Sequence, residues 1–171
     1  QAEGKVVLNA SQAEIVDGMV EAVTNHPRFD ELFGGGQAEV SLQWTDAEHE
    51  MPCKCRFDYL TPDGFGTDLK SCADASPDGF ARASAGFLYH FQAAHYGTGY
   101  EALTGDPLRG FIFVAVESEP PHGVGIYVMP ENAIRFALDR IATLKARLKE
   151  AQATNRYPGY STNVQQLVIP K

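Results

Sequence analysis

Apolar positions change their spacing several times along this chain, and each change marks an element. Ile15, Met19, Val20 and Val23 recur at three- and four-residue steps, which predicts a helix. Ser11-Gln12-Ala13-Glu14 ahead of them has the capping-box pattern, with Ser11 as N-cap and Glu14 reaching back. Asn25-His26-Pro27 ends the helix, because a proline disfavours helical backbone in the residue before it. Gly34-Gly35-Gly36 is a flexible break. From Glu39 the period drops to two: Val40, Leu42 and Trp44 alternate with polar neighbours, as in a half-buried strand. Residues 46–52 read as a polar turn, 53–60 as a second strand and 65–70 as a third, with Thr61-Pro62-Asp63-Gly64 supplying turn chemistry between them. Three strands joined by short turns make an antiparallel meander.

Residues 77–103 then read as one long helix. Phe80, Ser84, Phe87, Leu88, Phe91, Ala94 and His95 lie along it at helical steps, and Gly105-Asp106-Pro107 stops it. The continuous apolar run 111–116 predicts a buried strand, and 124–129 another. Pro130 suits the start of a last helix. Ile134, Leu138, Ile141, Leu144 and Leu148 form its apolar stripe, while Arg135, Arg140, Lys145, Arg147 and Lys149 give it a positive, solvated face. The tail beyond Pro158 reads as extended. The order α-β-β-β-α-β-β-α belongs to the α/β class, a mixed central sheet flanked by helices.

The length, 171 residues, suits one domain, taken here as 1–171. There are 14 basic and 22 acidic residues, a net charge of −8, which argues against a protein that simply coats nucleic acid. A local basic channel stays compatible with that balance. The three cysteines, Cys53, Cys55 and Cys72, are too few and odd in number for a disulfide framework and fit a reducing cytoplasm. Packed, reduced thiols are the favoured reading over a zinc site, since Cys53-x-Cys55 lacks the usual ligand spacing. No run approaches the length of a membrane span and no secretory leader is visible. The chain opens on Gln1, which suggests a fragment.

The chemistry concentrates between Glu39 and Tyr100. Asp58 lies near the end of the second strand; Asp68 and Lys70 lie two apart on the third and share a face. The hairpin folds the two strands together, so Asp58 and Asp68 can approach with Lys70 beside them. Two carboxylates suit a hard divalent ion, and such an ion activates water and offsets phosphate charge, with a lysine stabilising the charge that develops. That combination is phosphodiester hydrolysis. Asp-x-Lys by itself is a weak signal, and a solvated ion pair on a strand is its bland alternative. Gln92 and Tyr96, four apart on a helix, share a face that can border the same cleft.

Taken together, Glu39, Arg56-Phe57-Asp58, Asp68-Leu69-Lys70, Tyr89-His90-x-Gln92-x-x-x-Tyr96 and Gly99-Tyr100-Glu101-Ala102 resemble the exonuclease VIII (RecE) family. These are PD-(D/E)XK nucleases of the restriction-endonuclease-like fold, related to lambda exonuclease. The resemblance covers most of the chain. It implies that Asp58 and Asp68 hold a metal together with the Leu69 carbonyl, that Lys70 is the catalytic lysine, that Glu39 is the acidic residue near the metal, and that Gln92 and Tyr96 support the site and the DNA strand. It further implies a Mg²⁺-dependent 5′→3′ exonuclease, with Mn²⁺ as substitute, acting on linear double-stranded DNA and releasing 5′-mononucleotides in phage-type recombination. The expected assembly is a homo-oligomeric ring working beside a single-strand annealing protein.

One feature departs from the family: its histidine on an N-terminal helix has no counterpart here. His26 sits at the end of a different helix and does not take that role. A catalytically weak or inactive DNA-binding or assembly module of the same fold is the main alternative, followed by an endonuclease or single-strand nuclease. Trp44 and His95 read as packing residues, His49 and His122 as loop residues, and Gly64-x-Gly66 as turn glycines; His90 stays open. Arg56, Arg82, Arg109 and Lys54 are candidates for phosphate contacts.

Overall fold

The computed structural model describes residues 7–161 and 163–168. Helix α1 (Ala10–Thr24) and a short α2 (Phe29–Phe33) precede strands β1 (Gln37–Asp46), β2 (Met51–Leu60) and β3 (Phe65–Cys72). Helices α3 (Pro77–Gly86) and α4 (Tyr89–Thr104) cross over to β4 (Gly110–Glu117), followed by β5 (Val124–Val128) and α5 (Glu131–Thr154). The strands form one sheet in the order β1-β2-β3-β4-β5. Neighbours run antiparallel except β3 and β4, which are parallel because the α3–α4 crossover separates them.

The two faces of the sheet carry different helices. Phe57, Phe111, Phe113 and Ala115 pack with Phe80 of α3, Ala93 of α4 and Ile134 of α5. Val114 and Val116 point the other way and pack with Val23 of α1 and Leu32 of α2. Strand β4 is therefore covered on both faces, which is why it reads as a continuous apolar run. Thr67, fully buried, donates its hydroxyl to the Leu32 carbonyl at 3.3 Å and ties β3 to α2.

Four expectations are corrected. The N-cap of α1 is Asn9, not Ser11: Asn9 Oδ1 accepts from Gln12 N at 2.9 Å and Gln12 Oε1 accepts from Asn9 N at 3.1 Å. Asparagine caps as well as serine, and Ser11 falls inside the first turn. The long helix is two helices, broken at Phe87 and Leu88, where Leu88 takes left-handed backbone (φ 59°, ψ 39°). The break lets Tyr89 pack against both Phe80 and Phe113, at centroid distances of 5.8 and 5.3 Å. Pro130 does stand at the start of α5, as its N-cap residue. The inward face of α5 runs through Ala137 and Lys145, so Leu138, Leu144 and Leu148 stay exposed. Lys145, expected in solvent, is instead largely buried against Asp46, with Nζ to Oδ2 at 2.6 Å.

Trp44 is buried beside His95, ring centroids 4.9 Å apart, and His95 Nε2 lies 3.1 Å from the Lys54 carbonyl. Burial lowers the His95 pKa, consistent with a neutral packing residue. His122 lies in the loop before β5, and His49 lies in the β1–β2 turn but is buried there on Asp46. The cysteines are free and pack into one core cluster. Beyond α5, the described residues form neither helix nor strand. No described helix is long and apolar enough to cross a membrane.

Candidate active site

Strands β2 and β3 pair at Leu60↔Gly66 and Tyr59↔Thr67 and then diverge. The divergence opens a seam at the next positions, Asp58 on one strand and Asp68 on the other. The β1–β2 ladder is also interrupted there: Ala38↔Tyr59 and Val40↔Phe57 pair, while Glu39 and Asp58 between them do not. Glu39 has φ 57°, left-handed for a strand residue. Across this kink Phe57 packs on Tyr96 whereas Tyr59 packs on Phe33, so side chains two apart reach opposite faces. The simple alternation of a strand fails at Asp58, as at a bulge.

Asp68 lies at the bottom of the seam, 2% exposed. Lys70 follows two residues later on the same face, and its Nζ stands 2.6 Å from Asp68 Oδ2. The ammonium is the partner of this buried oxygen among the described residues. The other oxygen, Oδ1, accepts from Gln92 Nε2. Burial pushes the Asp68 carboxyl above the usual range, against the pull of Lys70 and Gln92, and the nearby Asp58 charge adds to the rise. Asp58 Oδ2 accepts from the main-chain N–H of Leu69 at 2.9 Å. The N–H and C=O of one strand residue leave on the same edge, so the Leu69 carbonyl also faces the seam.

Helix α4 supplies Gln92 and Tyr96. Its sheet-facing side carries the small residues Ala93, Ala94 and Gly99, all buried, which let it sit close. A Cβ at Gly99 would come within 2.5 Å of the Trp44 ring. This close seat carries Gln92 to Asp68. Tyr96 packs edge-on against Phe57 and Phe111, at 5.0 and 5.6 Å, and burial raises its hydroxyl pKa.

Glu39 is placed differently. Its side chain is 60% exposed and pairs with Arg56 Nε at 3.0 Å. Among the described residues no group of three or more His, Cys, Asp or Glu side chains assembles to hold a metal. Arg82 and Arg109 form exposed ion pairs with Asp74 and Asp63, at 3.8 and 3.6 Å, and Lys54 is exposed on β2. Two rings to which the sequence assigns no role complete the site. The Lys70 ammonium lies 4.8 Å from the Tyr89 centroid and 5.9 Å from that of Phe113. The contacts depend on the α3–α4 break, and no spacing rule announces them.

The model of one protein family, described as a PDDEXK-like domain of unknown function (DUF3799), matches residues 1–168. The chain belongs to this family. A crystal structure from Eubacterium rectale, named a "putative exonuclease", superposes with a TM-score of 0.73 at 19% identity. The match covers 99% of this chain and 66% of that one, so this chain spans just under two thirds of its neighbour's length. No curated protein matches. The mixed five-stranded sheet flanked by helices is thus a PD-(D/E)XK nuclease fold. In this DUF3799 member, Asp58 on β2 and Asp68-Leu69-Lys70 on β3 supply an acid and then an acid-x-Lys in chain order.

The donors at the seam also suit a hard cation. Asp68 offers a buried carboxylate oxygen whose partner among the described residues is the Lys70 ammonium, Asp58 a second carboxylate and Leu69 a carbonyl. Two carboxylates plus carbonyl and water oxygens are the ligand set Mg²⁺ prefers, since it keeps several waters and rarely takes an all-protein cage.

Proposed function

We propose that this chain is a metal-dependent deoxyribonuclease, acting as a 5′→3′ exonuclease on linear double-stranded DNA and releasing 5′-mononucleotides. The observation that carries this reading is the buried Asp68 carboxylate with Lys70 Nζ at 2.6 Å and Asp58 across the seam. The name of the E. rectale neighbour supports the exonuclease direction. Polarity, the double-stranded substrate, a homo-oligomeric ring, an annealing-protein partner and a place in phage-type recombination rest on the resemblance to the RecE family.

Asp58, Asp68 and the Leu69 carbonyl would hold Mg²⁺, or Mn²⁺ in its place. Bound there, the ion would offset phosphate charge and acidify a water. The protein's own groups do the positioning. Gln92 holds Asp68 Oδ1 and so turns Oδ2 into the seam. Lys70, resting against the Tyr89 face, presents its ammonium beside Asp68 to the scissile phosphate and stabilises negative charge as it develops. Tyr96 braces Gln92 and the wall of the seam from one helical turn away.

The test is cleavage of linear 5′-phosphorylated duplex with Mg²⁺ or with chelator, alongside Lys70→Ala. The expected result is metal-dependent mononucleotide release, reduced about 10²–10³-fold by the substitution. Closed circular duplex should stay intact; nicking of it would indicate an endonuclease. Duplex binding without product under any metal would replace the enzyme with a DNA-binding module.

A further inference from the structure

The α3–α4 junction presents an apolar pair to solvent. Phe87 is 72% exposed and Leu88 51% exposed. Leu88 holds left-handed backbone although it is not glycine, a conformation that costs about 1 kcal/mol. The junction therefore keeps two large apolar side chains outside the core at an energetic cost. Phe87 does not float free: its ring stacks on Tyr89, centroids 5.8 Å apart and planes within 21°. Tyr89 stacks in turn on the buried Phe113, at 5.3 Å and 20°. The three rings form a ladder from core to surface. The Lys70 ammonium lies 4.8 Å from the middle ring.

We propose that Phe87 is a nucleobase-stacking site, which receives the base of a nucleotide whose phosphate lies at Lys70. The inference rests on the nuclease reading and extends it to a substrate contact. A ligand that fits must carry an anion for Lys70 and a flat aromatic face for Phe87, within two ring spacings of each other. A nucleotide has both, on one sugar. Stacking on an aromatic side chain serves every base, so the site favours an unpaired or frayed terminal nucleotide without selecting its identity. The backing of Phe87 by Tyr89 fixes the ring plane in advance, so little order has to be imposed on binding.

The experiment measures binding in chelator, where no cleavage occurs, to a 5′-phosphorylated duplex carrying 2-aminopurine or an abasic residue at the 5′ terminus. Phe87→Ala should weaken binding to the base-bearing end about tenfold, leave the abasic end unchanged and abolish quenching of 2-aminopurine. Phe87→Trp should restore both. Equal affinities of wild type and Phe87→Ala for the base-bearing end would overturn the proposal. So would a change in oligomeric mass in Phe87→Ala by light scattering, which would assign the patch to a protein contact. Cleavage by the wild type, measured in parallel with Mg²⁺, separates the two readings. Cleavage with base-independent binding removes this site and leaves the nuclease. Base-dependent binding through Phe87 without cleavage removes hydrolysis and leaves the site.

Discussion

Asp58 reaches across the seam between β2 and β3 and accepts the main-chain N–H of Leu69 at 2.9 Å, so the carboxylate of one strand is held by the backbone of the other. The donor, Leu69, directly follows Asp68 in the chain, and the Asp58 charge adds to the rise that burial produces in the Asp68 pKa. This crossing links the hairpin's geometry to its chemistry.

Removal of either acid should therefore show in cation affinity before it shows in folding. Asp58→Ala and Asp68→Asn are each expected to lower Mn²⁺ affinity at least about tenfold in titration calorimetry. The Leu69 N–H lies where water can replace the lost carboxylate, so Asp58→Ala should cost no more than about 1 kcal/mol in urea denaturation. Unchanged Mn²⁺ binding in both variants would remove the two acids as ligands.

Gln92 donates to Asp68 Oδ1 and so fixes the orientation of that carboxylate. Gln92→Ala leaves Asp68 free to rotate, and the expected loss is about 10–100-fold in activity or metal affinity. A positioning role also predicts partial rescue at high Mn²⁺, because excess ion compensates for a poorly oriented ligand. A deficit that persists at saturating metal would mean that Gln92 acts elsewhere.

Acid should unfold the protein in part through Asp46. Lys145 donates to Asp46 Oδ2 at 2.6 Å and His49 contacts Oδ1 at 2.8 Å. The Lys145 hydrogen bond holds the Asp46 carboxyl well below the usual carboxylate range, with His49 assisting and burial opposing. A depressed folded pKa contributes stability that is fully present above the unfolded value, near 3.9 (about), and is lost as pH falls through the folded one. Lys145→Met should thus cost about 2 kcal/mol at pH ~7 and less at pH ~3. Urea midpoints at the two pH values measure the difference. A penalty that is the same at both would show that the pair contributes packing alone.

Cys55 should be inert in the native state. Burial pushes its thiol up to about 11, which leaves roughly one thiolate in a thousand at pH ~8. A thiol reagent should leave Cys55 unmodified in the folded chain and modify it in denaturant, as peptide mapping would show. Fast native labelling would place Cys55 on a mobile surface rather than in the core.

Much of this molecule is written in local patterns. Alternation at Val40, Leu42 and Trp44 marks β1, the run 111–116 marks β4, and two-residue spacing puts Asp68 and Lys70 on one face. These features depend on the period of an isolated strand or helix, which every residue carries with it. The break at Leu88 and the burial of Lys145 do not. The first arises because Tyr89 packs between Phe80 and Phe113, the second because the β1–β2 turn, nearly a hundred residues earlier in the chain, offers Asp46 to α5. Glu39 shows the same division. Its order in the chain suggested a place at the seam, but left-handed backbone and the Arg56 ion pair place its side chain in solvent. Periodicity is a property of neighbours in the chain and can be read one element at a time. The divergence of β2 from β3, the seat of α4 on its small residues and the ladder under Lys70 come from elements meeting in space, and exist after they have packed.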